Sequence, residues 1–285
     1  MTDTPVRQFV DLVVENGIAT VTLSRPEVRN AIHDAMRAEL IGVLDRVAED
    51  EAVRAVVITG RGGAFCAGGD VSGMRTRLAE PAGEIAFNGW RRQRKTHRSI
   101  ASLHQMGKPT VAAVAGAAVG LGCDLALCCD FIVAGESAVF AMSFIHRGLV
   151  PDGGGLYFLP RRVGLPRAKE LIFSGRRVKA DEALRIGLAD RLVSDTDLLA
   201  TAQAWAAELG AGSPVALALT KSILDRTFEL PEEQVFALGR QAQAICYTTT
   251  AHRESVEAFL SKAERKEADR RSTAREGTDR QEPSR

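Results

Sequence analysis

Residues Val111–Gly155 read VAAVAGAAVGLGCDLALCCDFIVAGESAVFAMSFIHRGLVPDGGG, and this stretch decides the fold. VAAVAG is an unbroken apolar run of the kind that is buried on both faces of a sheet. It passes into the glycine-rich turn Gly116–Gly122 and then into CDLALCCD, which has the pattern of a buried helix. Phe131–Ala134 and Ala138–Phe140 are short strands, and two acids, Asp124 and Asp152, stand close to glycine turns. A strand that ends in glycines and enters a helix leaves backbone N–H groups without intrahelical partners, where the helix dipole adds positive potential.

The same order occurs upstream. Arg54–Thr59 is a β-branched strand that ends in the loop Gly60–Asp70, GRGGAFCAGGD, whose glycines let backbone N–H groups face a ligand without Cβ obstruction. Earlier still, Phe9–Val14 and Ile18–Leu23 flank Glu15-Asn16-Gly17, a hairpin signal because Asn and Gly tolerate the positive φ of a type I′ turn. The Pro-containing loop SRPEVRNAI follows, and from Asp34 the spacing of Met36, Leu40, Leu44 and Val47 predicts a helix. Three strand–loop–helix units, over 18–49, 54–70 and 110–128, indicate an α/β chain built as a repeated spiral.

Residues 71–84 read as a surface loop, and Phe87–Met106 as a long helix with Arg91, Arg92, Arg94, Lys95 and Arg98 on a solvated face. After Gly155 helices dominate, over Leu156–Val163, Arg167–Phe173, Ala180–Gly187, Leu198–Leu209, Pro214–Phe228 and Pro231–Leu260, with DRLV as a short extended piece. The expected organisation is a core with the active site over 1–200, a helical region over 201–262, and a charged tail over 263–285. That tail has too few large apolar residues to offset its ordering entropy and is expected to be disordered.

The bulk composition excludes more than it selects. With 45% hydrophobic and 26% charged residues and a net charge of +1 over 285 residues, nothing calls for nucleic acid or a membrane as partner. No run approaches a membrane span and the N-terminus lacks a secretory pattern, so a soluble cytoplasmic protein is expected. The five cysteines, Cys66, Cys123, Cys128, Cys129 and Cys246, are expected to be buried free thiols. The histidines are scattered without ligand spacing, so no metal is expected. A G-x-G-x-x-G turn would need glycine at Leu125, and there is no G-x-S-x-G elbow, P-loop or HExxH, so nucleotide, acyl-serine and zinc chemistries lack their signatures.

AFCAGGD at 64–70, AAVAGAAVGLGCDLALCCDFIVA at 112–134 and GLVPDGGG at 148–155 occur in the order seen in the enoyl-CoA hydratase/isomerase, or crotonase, superfamily, which the chain resembles over roughly residues 9–262. The resemblance implies a ββα spiral with a helical C-terminal trimerisation region, assembled as a homotrimer or dimer of trimers. It implies an acyl-CoA thioester as substrate, with coenzyme A part of that substrate and no separate cofactor. It also implies an enolate held by two backbone amides, carried over by motif position to Cys66 and Leu121. Arg25 and the loop Ala64–Asp70, with Ala64, Ala67, Gly68 and Asp70, would lie along the CoA nucleotide. Phe259 and Lys262 match a C-terminal pair that closes its adenine end, often in a neighbouring subunit.

In the acids the chain departs from the hydratase pattern, which has one Glu where this chain has Asp124 and a second where it has Phe144. A phenyl ring transfers no proton. Asp152 coincides with the catalytic Asp of dienoyl-CoA isomerases and ring-opening epoxide isomerases, which makes Asp152 and Asp124 the candidate proton carriers and isomerisation the expected reaction. The alternatives are a 2-enoyl-CoA hydratase using Asp124 and an acyl-CoA-binding relative without catalysis. Structural roles also stay open: Asp152 as a helix N-cap, Asp124 as a first-turn acid, and His146 as a packing residue.

Overall fold

The computed structural model describes residues 8–262; the tail expected over 263–285 lies outside the described residues. Strands β1 (Val10–Glu15) and β2 (Ile18–Leu23) form the expected hairpin, with Asn16 and Gly17 both at positive φ, 51° and 78°. Helix α1 (Asp34–Glu49) begins where the His33 ring accepts the Met36 N–H, and it buries Met36, Leu40, Leu44 and Val47 as its spacing predicts. Strand β3 (Ala55–Gly60) then pairs parallel to β2.

The stretch expected to be a loop holds a short helix, α2 (Met74–Leu78), and the long helix α3 (Ala82–His104) starts five residues earlier than expected. Pro81 supplies the entry, since its φ of −56° suits the first turn and its missing N–H costs no intrahelical bond there, while Glu84 complements the helix N-terminus. Next come β4 (Thr110–Val114), β5 (Ala117–Val119), α4 (Leu121–Leu127), β6 (Phe131–Gly135) and β7 (Val139–Ala141). They are followed by α5 (Gly155–Val163), α6 (Leu165–Ser174), β8 (Val178–Lys179), α7 (Ala180–Arg185), β9 (Arg191–Val193) and α8 (Leu198–Gly210).

The strands fall into two layers. The larger sheet runs β1-β2-β3-β4-β6-β9, parallel apart from its hairpin, and the smaller runs β5-β7-β8. Each turn of the chain leaves the large sheet and at once enters the small layer, as β4 to β5 and β6 to β7. Earlier turns do the same with single bridges, Ile32 to Gly69 and Cys66 to Ala118. This is the spiral expected from the repeated units, in the ββα form that the resemblance implies.

Both faces of the large sheet are covered, which explains its continuous apolar runs. On one face Val56, Ile58, Ala112, Val114 and Ile132 join the core that contains α1 and α4; on the other Ala55, Val57, Val111, Ala113 and Val133 pack on Leu198, Ala202 and Ala206 of α8. Because α8 covers the sheet, the first compact unit extends to Gly212, past the boundary expected at 200.

The second unit begins at Ser213 and contains α9 (Pro214–Leu224) and α10 (Glu232–Tyr247), with helical backbone again over 250–262. The single helix expected over Pro231–Leu260 breaks at Thr248 and Thr249. Their hydroxyls bond back to the Ile245 and Cys246 carbonyls, and Thr249 Oγ1 accepts the His252 N–H at 3.2 Å, capping the next helix.

Candidate active site

The glycine loop after β3 and the turn before α4 meet back to back. Asn30, buried and left-handed at φ 58°, sets the loop: its side-chain amide donates to the Arg61 and Ala64 carbonyls, and its Oδ1 accepts the Arg25 N–H at 2.8 Å. At the turn Gly120 has φ 54°, which a Cβ would strain, and it directs the chain from β5 into α4. A Cβ added to Gly68 would lie 2.6 Å from the Val119 carbonyl and 3.5 Å from the Leu121 nitrogen, so the loop backbone runs directly beside the start of α4.

The backbone bonding decides which amides are free. Cys66 N–H donates to Ala117 O at 2.8 Å, within the bridge that extends the small sheet, and so is turned away from any ligand. Ala67 N–H donates to Arg29 O, Asp70 N–H to Ile32 O, and Gly68 N–H approaches the Cys66 sulfur at 3.4 Å. Gly69 is the remaining residue of this loop, and its N–H has no bond among the described residues. The loop donor expected at Cys66 is therefore corrected to Gly69. Leu121, at the first helical position of α4, keeps the unpaired N–H expected of it.

These two amides border a cavity of about 490 Å³, also lined by Ala67, Gly68, Asp70, Phe144 and Asp152. Ala64 is buried beneath the loop and does not line it. Arg25, expected to reach a nucleotide, is occupied within the protein: its guanidinium pairs with Asp70 Oδ2 at 3.0 Å and donates to the Ala31 carbonyl. The Ser72 backbone and side chain, with that guanidinium, hold the Asp70 carboxyl down to about 2. Phe259 and Lys262, both exposed, belong to the second unit.

The two candidate acids occupy different surroundings. Asp152 is half-buried on the cavity wall; it does not cap α5, whose N-cap is Gly154. Its pocket is less apolar than Phe144 suggests, because Gln93 Nε2 donates to Asp152 Oδ2. One helical turn on, His97 Nε2 donates to the Asp152 carbonyl at 2.8 Å, so α3 grips this segment twice. Neither residue carried a sequence signal for this role.

Asp124 lies in the first turn of α4 and is 0% exposed. Gly153 N–H donates to its Oδ2 at 2.9 Å. Burial, opposed by that amide and reinforced by the charge of Asp152, pushes its pKa up to about 8. Asp124 is therefore a neutral acid near pH 7, sealed behind the backbone that carries Asp152.

The remaining expectations concern packing. Cys66, Cys123, Cys128 and Cys129 are buried free thiols, with Cys66 pushed up to about 12 by burial, whereas Cys246 is half-buried. His146 packs with its Nε2 3.2 Å from the Gly175 carbonyl. Among the described residues no helix is long and apolar enough to cross a membrane, and no group of three His, Cys, Asp or Glu is placed to hold a metal ion.

The sequence model of the enoyl-CoA hydratase/isomerase family matches residues 14–269. The chain is 34% identical over 254 residues to the short-chain-enoyl-CoA hydratase of Clostridium acetobutylicum, covering 89% of this chain and 95% of that one. It is 35% identical over 255 residues to the 1,2-epoxyphenylacetyl-CoA isomerase of Escherichia coli, covering 90% and 96%. The crystal structure of an enoyl-CoA hydratase from Polaromonas sp. JS666 matches with a TM-score of 0.82 at 36% identity, over 89% of this chain and 97% of that chain.

Proposed function

The chain belongs to the enoyl-CoA hydratase/isomerase family, and from the acids around its cavity we propose that it isomerises a double bond, or a strained ring, in an acyl-CoA thioester. The observation that carries this reading is one carboxylate on the cavity wall without a cationic partner among the described residues, since the other two there, Asp34 and Asp70, are ion-paired with Arg37 and Arg25. Asp152 stands there, Phe144 fills the place of a second acid, and Asp124 is sealed underneath.

In the reaction on a 3-enoyl thioester, the Asp152 carboxylate takes a proton from C2. The electron pair moves onto the thioester oxygen, where the Gly69 and Leu121 N–H groups donate to the developing oxyanion. Preorganised donors of this kind contribute about 2.7–4 kcal/mol each. Protonated Asp152 then returns the proton to C4, the double bond shifts into conjugation, and no water is consumed. Asp124, neutral, assists by placing no second negative charge beside Asp152. Gln93 and His97 hold Asp152 in position for both transfers.

Hydration is the competing reading, favoured by relatives whose names are hydratases. It requires one group to activate water and another to protonate C2, and Asp152 is the one acid on this wall that is not ion-paired among the described residues. Phe259 and Lys262 are proposed to act from a neighbouring subunit of a homotrimer or dimer of trimers.

The test is Asp152→Asn assayed on a panel of enoyl-, dienoyl- and aryl-CoA thioesters by product mass spectrometry. Loss of isomerised product on every accepted substrate is expected. Full turnover by the variant would refute the assignment.

A further inference from the structure

A second cavity, of about 370 Å³, takes no part in the chemistry above. Val119 and Ala141 of the small sheet line it, together with Ser143, His146, Arg147 and Arg177. Val119, Ser143 and Arg147 line both cavities, so the two adjoin through these three residues. Val119 is two residues before Leu121, and a Cβ on Gly120 would lie 3.5 Å from Ser143 Oγ and 3.8 Å from the Phe144 ring. The second cavity therefore opens beside the place proposed for the thioester carbonyl.

Its charge is one-sided. Arg176, also on its wall, is answered by Glu170 and Glu182 at 2.6 and 2.7 Å. Among the described residues no acidic side chain lines the cavity. The Arg147 and Arg177 guanidinium groups have no carboxylate or carbonyl partner among the described residues, and the Ser143 hydroxyl has no bond among them either. A purely apolar acyl tail gains nothing from two guanidinium groups that must stay solvated. A carboxylate would gain charge-assisted, planar hydrogen bonds from both.

The geometry points to this cavity as a subsite for a carboxylate carried on the acyl group, so that the substrate is the mono-CoA thioester of a dicarboxylic acid. The assignment rests on the acyl-CoA reading of the neighbouring cavity. Arg147 and Arg177 bind the carboxylate, and Ser143 donates where the chain passes from one cavity to the other.

The experiment is calorimetric titration of the full chain with adipoyl-CoA and hexanoyl-CoA. These share the CoA moiety and acyl length, differ in the terminal carboxylate, and cannot turn over as alkenes. Adipoyl-CoA is expected to bind about tenfold more tightly, the scale of one hydrogen bond to a charged group. That ratio should fall toward one in Arg147→Gln and Arg177→Gln and recover in part in Arg177→Lys. Equal affinities for the unmodified chain would overturn the proposal. So would equal weakening of both ligands in Arg177→Gln, which would put that guanidinium on a CoA phosphate.

Inorganic phosphate is the other source of such an anion. If it raises the melting temperature through Arg177 while the two thioesters bind alike, the cavity holds a free anion and the proposal fails. Turnover separates this failure from that of the proposed function. Isomerisation of neutral enoyl-CoA with no adipoyl preference removes the subsite alone, and an adipoyl preference with no turnover of any enoyl-CoA removes the isomerase reading alone.

Discussion

Asp124 and Asp152 lie on either side of one backbone amide, that of Gly153, yet they live in different media. Asp124 is closed off from solvent and accepts that amide directly, whereas Asp152, one residue before it, reaches the cavity and is held by Gln93. The same side-chain chemistry thus yields a buried acid walled off from the cavity and a carboxylate on the cavity wall. What separates them is which elements surround each: α4 and the start of α5 enclose Asp124, while Asp152 sits on the turn before α5, bonded to Gln93 and His97 of α3.

The difference is most sharply tested at Asp152. Asp152→Asn should lower kcat by about 10²–10⁴-fold, the contribution of a positioned proton carrier; an equal loss in Asp124→Asn would erase the distinction between the two acids. Next in size is the loop donor. Gly69→Pro removes the N–H and should lower kcat about 10²–10³-fold, whereas Gly69→Ala keeps it and places its Cβ in open space, so it should stay within about tenfold of the parent. Steady-state kinetics on one accepted enoyl-CoA checks both.

A smaller effect is expected at the clamp. Gln93→Leu frees one Asp152 oxygen and should lower kcat about tenfold with KM little changed, since orientation and not binding is lost.

Asp124 should show itself in stability. Its pKa is raised from 3.8 to about 8, so between those values the native chain holds a proton that the unfolded chain has released. Stability therefore falls as pH rises through that window and levels off above it. Asp124→Asn should flatten the slope of melting temperature against pH between about pH 4 and 8. An unchanged slope would mean that Asp124 is not the buried titrating group.

Much of this was legible in the sequence because it is local. The Asn16-Gly17 hairpin, the buried strand runs and the glycine turns each depend on a few adjacent residues, and their order was enough to expect the spiral. The position of Phe144 on the cavity wall followed from motif position alone. The rest depends on long-range pairing. The Cys66 amide is taken by Ala117 because the loop forms a bridge with the small sheet, and no property of AFCAGGD reports that the free donor is Gly69. Gln93 and His97 meet Asp152 across 59 and 55 residues of chain, and nothing in α3 marks them among its other polar residues. That the first compact unit runs to Gly212 has the same origin, since α8 reads as one more amphipathic helix until its partner, the large sheet, is known.

Asp152 is proposed to move a proton between substrate carbons without adding water. Incubating the enzyme with an enoyl-CoA panel in H₂¹⁸O and weighing the products tests it directly. Double-bond isomers of unchanged mass are expected; a 3-hydroxyacyl-CoA carrying ¹⁸O as the main product would contradict proton transfer without hydration.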